Sequence, residues 1–239
     1  VSESPARARS NLTLRVISSA VMAPIAIGIA WLGGWPFVLF WTLAACIVLW
    51  EWTRLVTRSP GTASYTDFVL WMIAGLLYAG VIALAPVILR RDPALGFVAI
   101  VFLFAVVWVT DIAAYFAGRA LGGPKLWVAV SPNKTWSGAL GGALGGVIAA
   151  LLVVKVAGLV IAPMLILVAL ALSIASQAGD LLESALKRQF GAKDAGALIP
   201  GHGGLMDRLD GFLTAVLAAV MVGLLREGFD GSARGLLVW

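Results

Sequence analysis

Along the chain, apolar runs of about twenty residues alternate with short polar stretches rich in glycine, proline and charge. About 20 apolar residues is what an α-helix needs to cross the hydrocarbon of a bilayer. Seven runs meet that length: Leu14–Leu32, Pro36–Val56, Phe68–Leu89, Leu95–Ala117, Ser137–Val154, Val160–Leu182 and Leu205–Leu225. Splitting of a run into two short helices widens the range to six to nine. The short alternating segments of a membrane β-barrel do not occur. No gap between runs is long enough for a soluble domain, and there is no internal repeat. The expectation is an all-α polytopic integral membrane protein with about seven transmembrane helices, forming a single membrane domain over residues 1–239.

Composition supports this reading: 61% of residues are hydrophobic, 12% are charged and the mean hydropathy is +1.00. A soluble globular chain is far less apolar. The opening "ARARSNLTLRVISSAVMAPIAIGIAWL" has a basic flank and an apolar stretch but no clear small-residue cleavage site, so it reads as a retained helix. One cysteine, Cys46, excludes an intramolecular disulfide framework.

Charge sets the orientation. With seven spans, Arg7, Arg9, Arg15, Arg54, Arg58, Arg119, Lys125, Lys134, Lys187, Arg188, Lys193 and Arg208 fall on one side. Only Arg90, Arg91, Lys155, Arg226 and Arg234 fall on the other. The positive-inside rule places the richer side in the cytoplasm, with the protein multi-pass in the cell's inner membrane. The net charge of +5 suits anionic membrane lipids, and no nucleic-acid partner is expected.

Acidic groups near membrane depth are costly and usually functional. Asp111, Asp180, Glu183, Asp194, Asp207 and Asp210 cluster in or beside the two longest cytoplasmic loops. Helical spacing puts Asp180, Glu183, Ser184 and Lys187 on one face, Asp207 and Asp210 on a second, and Asp111, Tyr115 and Gly118 on a third. Carboxylates beside lysines and arginines among glycines point to phosphate held through a divalent metal. Hard oxygen ligands suit Mg²⁺, which takes one or two carboxylates plus substrate phosphates. "PGHGG" (Pro200–Gly204) offers backbone N–H donors just before a helix, where an anion is favoured. Zinc is excluded, because one histidine and one distant cysteine cannot supply its ligands. No GxxxxGK[ST] pattern occurs, so a P-loop is excluded too.

Ser184, Lys187, Arg188, Lys193, Asp194, Pro200, His202, Gly203, Gly204, Asp207, Arg208 and Asp210 stand at the spacing of a long signature. In this the chain resembles the phosphatidate cytidylyltransferases, also called CDP-diacylglycerol synthases. "DIAAYFAGRALG" (Asp111–Gly122) and "SPNKTWSG" (Ser131–Gly138) resemble two further segments of that family, as does "WEWTRL" (Trp50–Leu55). Where Ser137 stands the family commonly has Glu, so Ser137 is assigned no role. The resemblance covers residues 12 to 225, dividing the domain into N-terminal helices at 12–104 and a catalytic core at 105–225.

The resemblance implies that CTP and phosphatidic acid give CDP-diacylglycerol and pyrophosphate with Mg²⁺, at a polar active site facing the cytoplasm. It points to Asp180 and Asp207 as main metal ligands, with Asp210, Glu183 and Asp111 as further ones. Lys134, Lys187, Arg188, Lys193 and Arg208 then hold phosphates, and Tyr115, Arg119, Ser131, Thr135 and Ser184 belong to the substrate-binding segments. His202 reads either as a group acting on the leaving pyrophosphate or as a structural hydrogen-bonder. Two other readings stay open: a cytidylyltransferase for another lipid phosphate, and an ion-coupled transporter using its membrane-depth acids. Elsewhere the chain looks architectural. Gly138, Gly141, Gly142, Gly145 and Gly146 form a small-residue face suited to packing within the subunit or to a homodimer contact. Trp31, Trp35, Trp52 and Trp127 read as anchors at the membrane interface.

Overall fold

The computed structural model describes residues 20–58, 64–192, 194–196, 198 and 203–239. Its helices are α1 (Ala20–Leu32), α2 (Gly34–Arg58), α3 (Tyr65–Arg90), α4 (Gly96–Leu121), α5 (Trp136–Val156), α6 (Pro163–Gln189), α7 (Met206–Glu227) and α8 (Ser232–Leu237). Six of them, α2 to α7, are long and apolar enough to cross a membrane. The all-α, polytopic architecture is thus the observed one. Of the first expected span, residues 14–19 lie outside the described residues. The other six expected spans coincide with helices that run a few residues further into polar sequence. The largest extension is in α6, which continues through "ESALKRQ" to Gln189. There Glu183 and Lys187, four residues apart, pair on the buried face that meets α7.

Single glycines and small-residue faces set the helix packing. Only Gly33 separates α1 from α2, with φ +61°, a left-handed conformation open to glycine. The Arg90 side chain fills the corner, donating from Nε to the Ala30 carbonyl at 2.7 Å. A Cβ on Gly33 would stand 2.6 Å from that guanidinium. The α5 small-residue face lies on α4 of the same chain. A Cβ at Gly142 would come 2.8 Å from the Thr110 carbonyl oxygen, and one at Gly141 2.3 Å from the Ala117 methyl. The opposite face of α5 exposes Leu140, Leu144, Ile148 and Leu152, spaced to meet lipid.

Inside the bundle, Trp41 of α2 stacks on Phe212 of α7 at 4.9 Å, and Phe212 meets Phe104 of α4 at 5.6 Å. Trp31, Trp35 and Trp127 are exposed, as interface anchors should be, but Trp52 is not. It is only 2% accessible, donates from Nε1 to the Trp71 carbonyl at 2.9 Å, and lies against Gly75, where any side chain would collide with it. Trp52 is a core residue because α3 leaves it a glycine-sized slot.

α2, α4 and α6 end, and α7 begins, at one end of the bundle. There the α4–α5 connection folds into an antiparallel hairpin of β1 (Lys125–Trp127) and β2 (Ser131–Thr135), pairing Lys125 with Thr135 and Trp127 with Ser131. Thr135 then caps α5, its hydroxyl accepting from Gly138 N at 3.1 Å. At the far end, α8 closes the bundle. Buried Asp92 accepts from Ala94 N, Leu95 N and Arg234 N at 2.9, 3.0 and 3.2 Å, and Arg226 donates to the Val238 carbonyl at 2.8 Å.

Close α4–α5 contact predicts opposite outcomes for two helical glycines. Gly142→Ala forces the helices apart and costs about 1–3 kcal/mol, the usual range for overpacking. Gly80, on α3, has nothing within 4 Å of an added Cβ, so Gly80→Ala leaves stability equal or higher. Thermal unfolding in detergent checks this; equal midpoints for the two variants would contradict the packing.

Candidate functional site

Helices carry charged side chains to the hairpin end of the bundle, and a cavity of about 920 Å³ opens among them. Asp111, Tyr115, Gly118 and Arg119 of α4 form one wall, and Lys125, Asn133, Lys134 and Thr135 of the hairpin a second. Gln177, Asp180 and Lys187 of α6, Asp194, and Asp207, Arg208 and Asp210 of α7 complete it. Depth follows from helix geometry. Asp111 lies ten residues inside the end of α4 and Asp180 nine inside the end of α6, each about 15 Å along the axis from the helix terminus. The hairpin bends inward to reach them, and the Lys134 ammonium makes a close ion pair with Asp180.

A second ion cluster shapes the rim. Lys187, nearly buried, lies 2.5 Å from Asp207 Oδ1 and 3.3 Å from Glu183 Oε2. Asp207 also accepts from Gly204 N at 2.8 Å and from Ala195 N at 3.1 Å. Its carboxylate is therefore filled by protein donors, one an ammonium and two from the segment that joins α6 to α7. Such a carboxylate is suited to holding that segment in place. Glu183 is 1% accessible and does not line the cavity; it lies behind Lys187.

The start of α7 is likewise occupied. Its free N–H groups at Leu205 and Met206 donate to Glu51 of α2 at 3.0 and 2.8 Å. Of the backbone donors in and just after "PGHGG", those of Gly204, Leu205 and Met206 are engaged by Asp207 and Glu51, while Pro200 to His202 lie outside the described residues. The side chains of Lys125 and Arg208 line the cavity with no ion pair or hydrogen bond of their own among the described residues, and Arg119 donates to the Tyr115 hydroxyl at 2.9 Å.

Of the expected site residues, Asp111, Tyr115, Arg119, Lys134, Thr135, Asp180, Lys187, Asp207, Arg208 and Asp210 meet around one cavity. Ser131, Ser184 and Arg188 lie near it but do not line it; Arg188 donates to the Ala192 carbonyl at 3.4 Å. Lys193 and His202 lie outside the described residues. Lys125, Asn133 and Gln177 line the cavity without having been expected there. A lysine directly after "GGP" and a glutamine three residues before Asp180 on the same helix were the available signals.

A divalent cation fits this site in a specific way. Among the described residues no three acidic, histidine or cysteine side chains gather closely enough to cage a metal. Mg²⁺ does not need such a cage, since it binds through one or two carboxylates and completes its shell with phosphate oxygens and water. Asp180, 30% accessible and facing the cavity, together with Asp111 and Asp210 on its walls, provides such a partial set.

Spanning helices and, at one end of them, a polar chamber lined by carboxylates, lysines and arginines define a membrane-embedded protein with a charged, ligand-sized site. The chain belongs to the cytidylyltransferase family, whose profile matches residues 61–225. It is 44% identical over 256 residues to the phosphatidate cytidylyltransferases of Brucella suis biovar 1 (strain 1330) and Brucella melitensis biotype 1, covering 90% of this chain and 94% of each relative. It is 40% identical over 172 residues to the phosphatidate cytidylyltransferase of Bacillus subtilis (strain 168), covering 72% of this chain and 62% of that one.

The two aspartates that contact lysines should behave differently when neutralised. Asp207→Asn leaves Lys187 short of its nearest counter-charge in a buried setting, which costs about 3–5 kcal/mol. Asp180→Asn breaks a half-exposed pair, worth about 0–1 kcal/mol. Thermal unfolding in detergent should therefore drop strongly for Asp207→Asn and little for Asp180→Asn. The reverse order would contradict the assignment of Asp207 as the anchor.

Proposed function

We propose that this chain transfers the cytidylyl group of CTP to phosphatidate, giving CDP-diacylglycerol and pyrophosphate for phospholipid synthesis. The observation that carries this reading is the cavity itself: membrane-depth carboxylates on α4, α6 and α7 faced by Lys125, Arg119 and Arg208 at the level of the helix ends. Family membership and the names of the Brucella and Bacillus relatives point to the same pair of substrates.

In the proposed reaction an oxygen of the lipid's phosphate monoester attacks the α-phosphorus of CTP. A new P–O bond forms, the bond to the β-phosphate bridge breaks, and pyrophosphate departs with the electron pair. The attacking oxygen is already anionic at neutral pH, so no strong general base is needed. Positioning and charge neutralisation do the work. Arg208 and Arg119 suit bidentate contact with phosphate oxygens, while Lys125 acts as a compact charge. Mg²⁺, held by Asp180 with Asp111 and Asp210, would neutralise phosphate charge when bound. Lys134 keeps the Asp180 carboxylate aimed into the cavity, and Asp207 fixes Lys187 and the segment before α7. The transporter reading finds no support at the other end of the bundle, where buried Asp92 is consumed in capping backbone N–H groups.

The reading extends to placement. The cavity end carries Arg54, Arg58, Arg119, Lys125, Lys134, Lys187, Arg188 and Arg208, so it faces the cytoplasm of the inner membrane, where CTP is present.

Purified protein should release pyrophosphate and form CDP-diacylglycerol in equal amounts from CTP and phosphatidate. Chelation should stop it and Mg²⁺ restore it. Asp180→Asn should lower kcat by about 10²–10³-fold, the usual loss when one preorganised electrostatic stabiliser of the transition state is removed. In sealed vesicles, added CTP should be used by inside-out and not by right-side-out preparations. Equal turnover with a phosphodiester lipid in place of phosphatidate, or after chelation, would overturn the proposal.

A further inference from the structure

Glu51 is the fully buried acid of α2, at 1% accessibility, and it lies in an aromatic run far from the catalytic helices in sequence. It does not line the large cavity. Its two carboxylate oxygens reach across to the start of α7, Oε1 accepting from Leu205 N at 3.0 Å and Oε2 from Met206 N at 2.8 Å. Those are first-turn N–H groups, which have no partner within the helix, and the positive end of the helix favours a negative charge there.

Space for this carboxylate is made on both sides. A Cβ at Gly196 would stand 2.7 Å from Oε1, and one at Gly204 2.6 Å from the same atom. The segment thus closes on Glu51 from before and after, through two residues that carry no side chain. A buried carboxylate is expensive, and a well-packed apolar residue would serve stability as well or better. What an apolar residue cannot do is fix the position of two backbone N–H groups.

Directly after those groups come Asp207, Arg208 and Asp210, all on the cavity wall. Any shift of the first turn of α7 moves all three together. We infer that Glu51 is a positioning residue for the reaction: it sets the start of α7, and with it Arg208 and Asp210, against the substrates bound on the α4 and hairpin side. The inference rests on the cytidylyl-transfer reading above and adds a residue from outside the motif-bearing core to its machinery. It also gives the "WEWTRL" segment a role.

The test compares wild-type protein with Glu51→Ala and Glu51→Gln, purified in detergent and normalised to the folded, monodisperse fraction. A displacement of about 1 Å in a positioning element costs roughly 10²-fold in rate. Glu51→Ala should therefore lower kcat by about 10²-fold while KM for CTP changes little. Glu51→Gln keeps one acceptor oxygen but sets an amide donor against the second N–H, so its kcat should fall between the two. A second readout needs no turnover. In a Cys46→Ser background, the partly buried Ala195→Cys should react several-fold faster with a thiol reagent once Glu51→Ala is added, because the segment has lost its hold. Wild-type kcat in the folded fraction of Glu51→Ala, or of Glu51→Gln where the alanine variant does not fold, would overturn the inference. So would an unchanged labelling rate. Failure of wild-type protein to use CTP and phosphatidate would sink the functional reading instead, and the labelling comparison would still decide whether Glu51 holds the segment.

Discussion

Lys187, placed between Asp207 at 2.5 Å and Glu183 at 3.3 Å, is the interaction on which the rest of the site depends. An ammonium and two carboxyl groups are gathered at the edge of a bilayer, where an unpaired charge would be costly. The pairing joins α6 to α7 and leaves Asp207 free lone pairs for two backbone donors of the connecting segment. Glu51 does for the first turn of α7 what Asp207 does for the segment before it. Carboxylates supplied by the protein therefore cover the positive end of α7. The cationic side chains of α4 and the hairpin, with Arg208, line the cavity beside that covered helix end.

The membrane helices make this arrangement affordable in space. Glycines on α5 bring it against α4 and let the hairpin connecting them descend to Asp180. Thr135 ends that hairpin and starts α5 with one hydroxyl. Outside, leucines and isoleucines of α5 face lipid, so the polar chamber is enclosed by elements whose outer surfaces remain apolar.

The helices were legible because lipid demands long apolar runs and those runs leave few alternatives. The motif residues were legible as charges on three helix faces. The hairpin was not: "KLW" and "SPNKT" are too short and too polar to show strand periodicity, and their pairing depends on contacts with α4 and α5. Trp52 read as an interface anchor because its burial depends on Gly75, in a different helix. Asp207 was legible as a carboxylate from its spacing, but its donors, Lys187, Ala195 N and Gly204 N, were not. Glu51 was visible as an acid inside an apolar run, yet its partners stand 154 and 155 residues away.

The most direct test is an experimental structure of the purified protein with Mg²⁺ and a non-hydrolysable CTP analogue. The account predicts the triphosphate between α4, the hairpin and Arg208, beside Asp180, with Glu51 still bound to Leu205 N and Met206 N. A triphosphate seated on those two N–H groups, with Glu51 displaced, would contradict it.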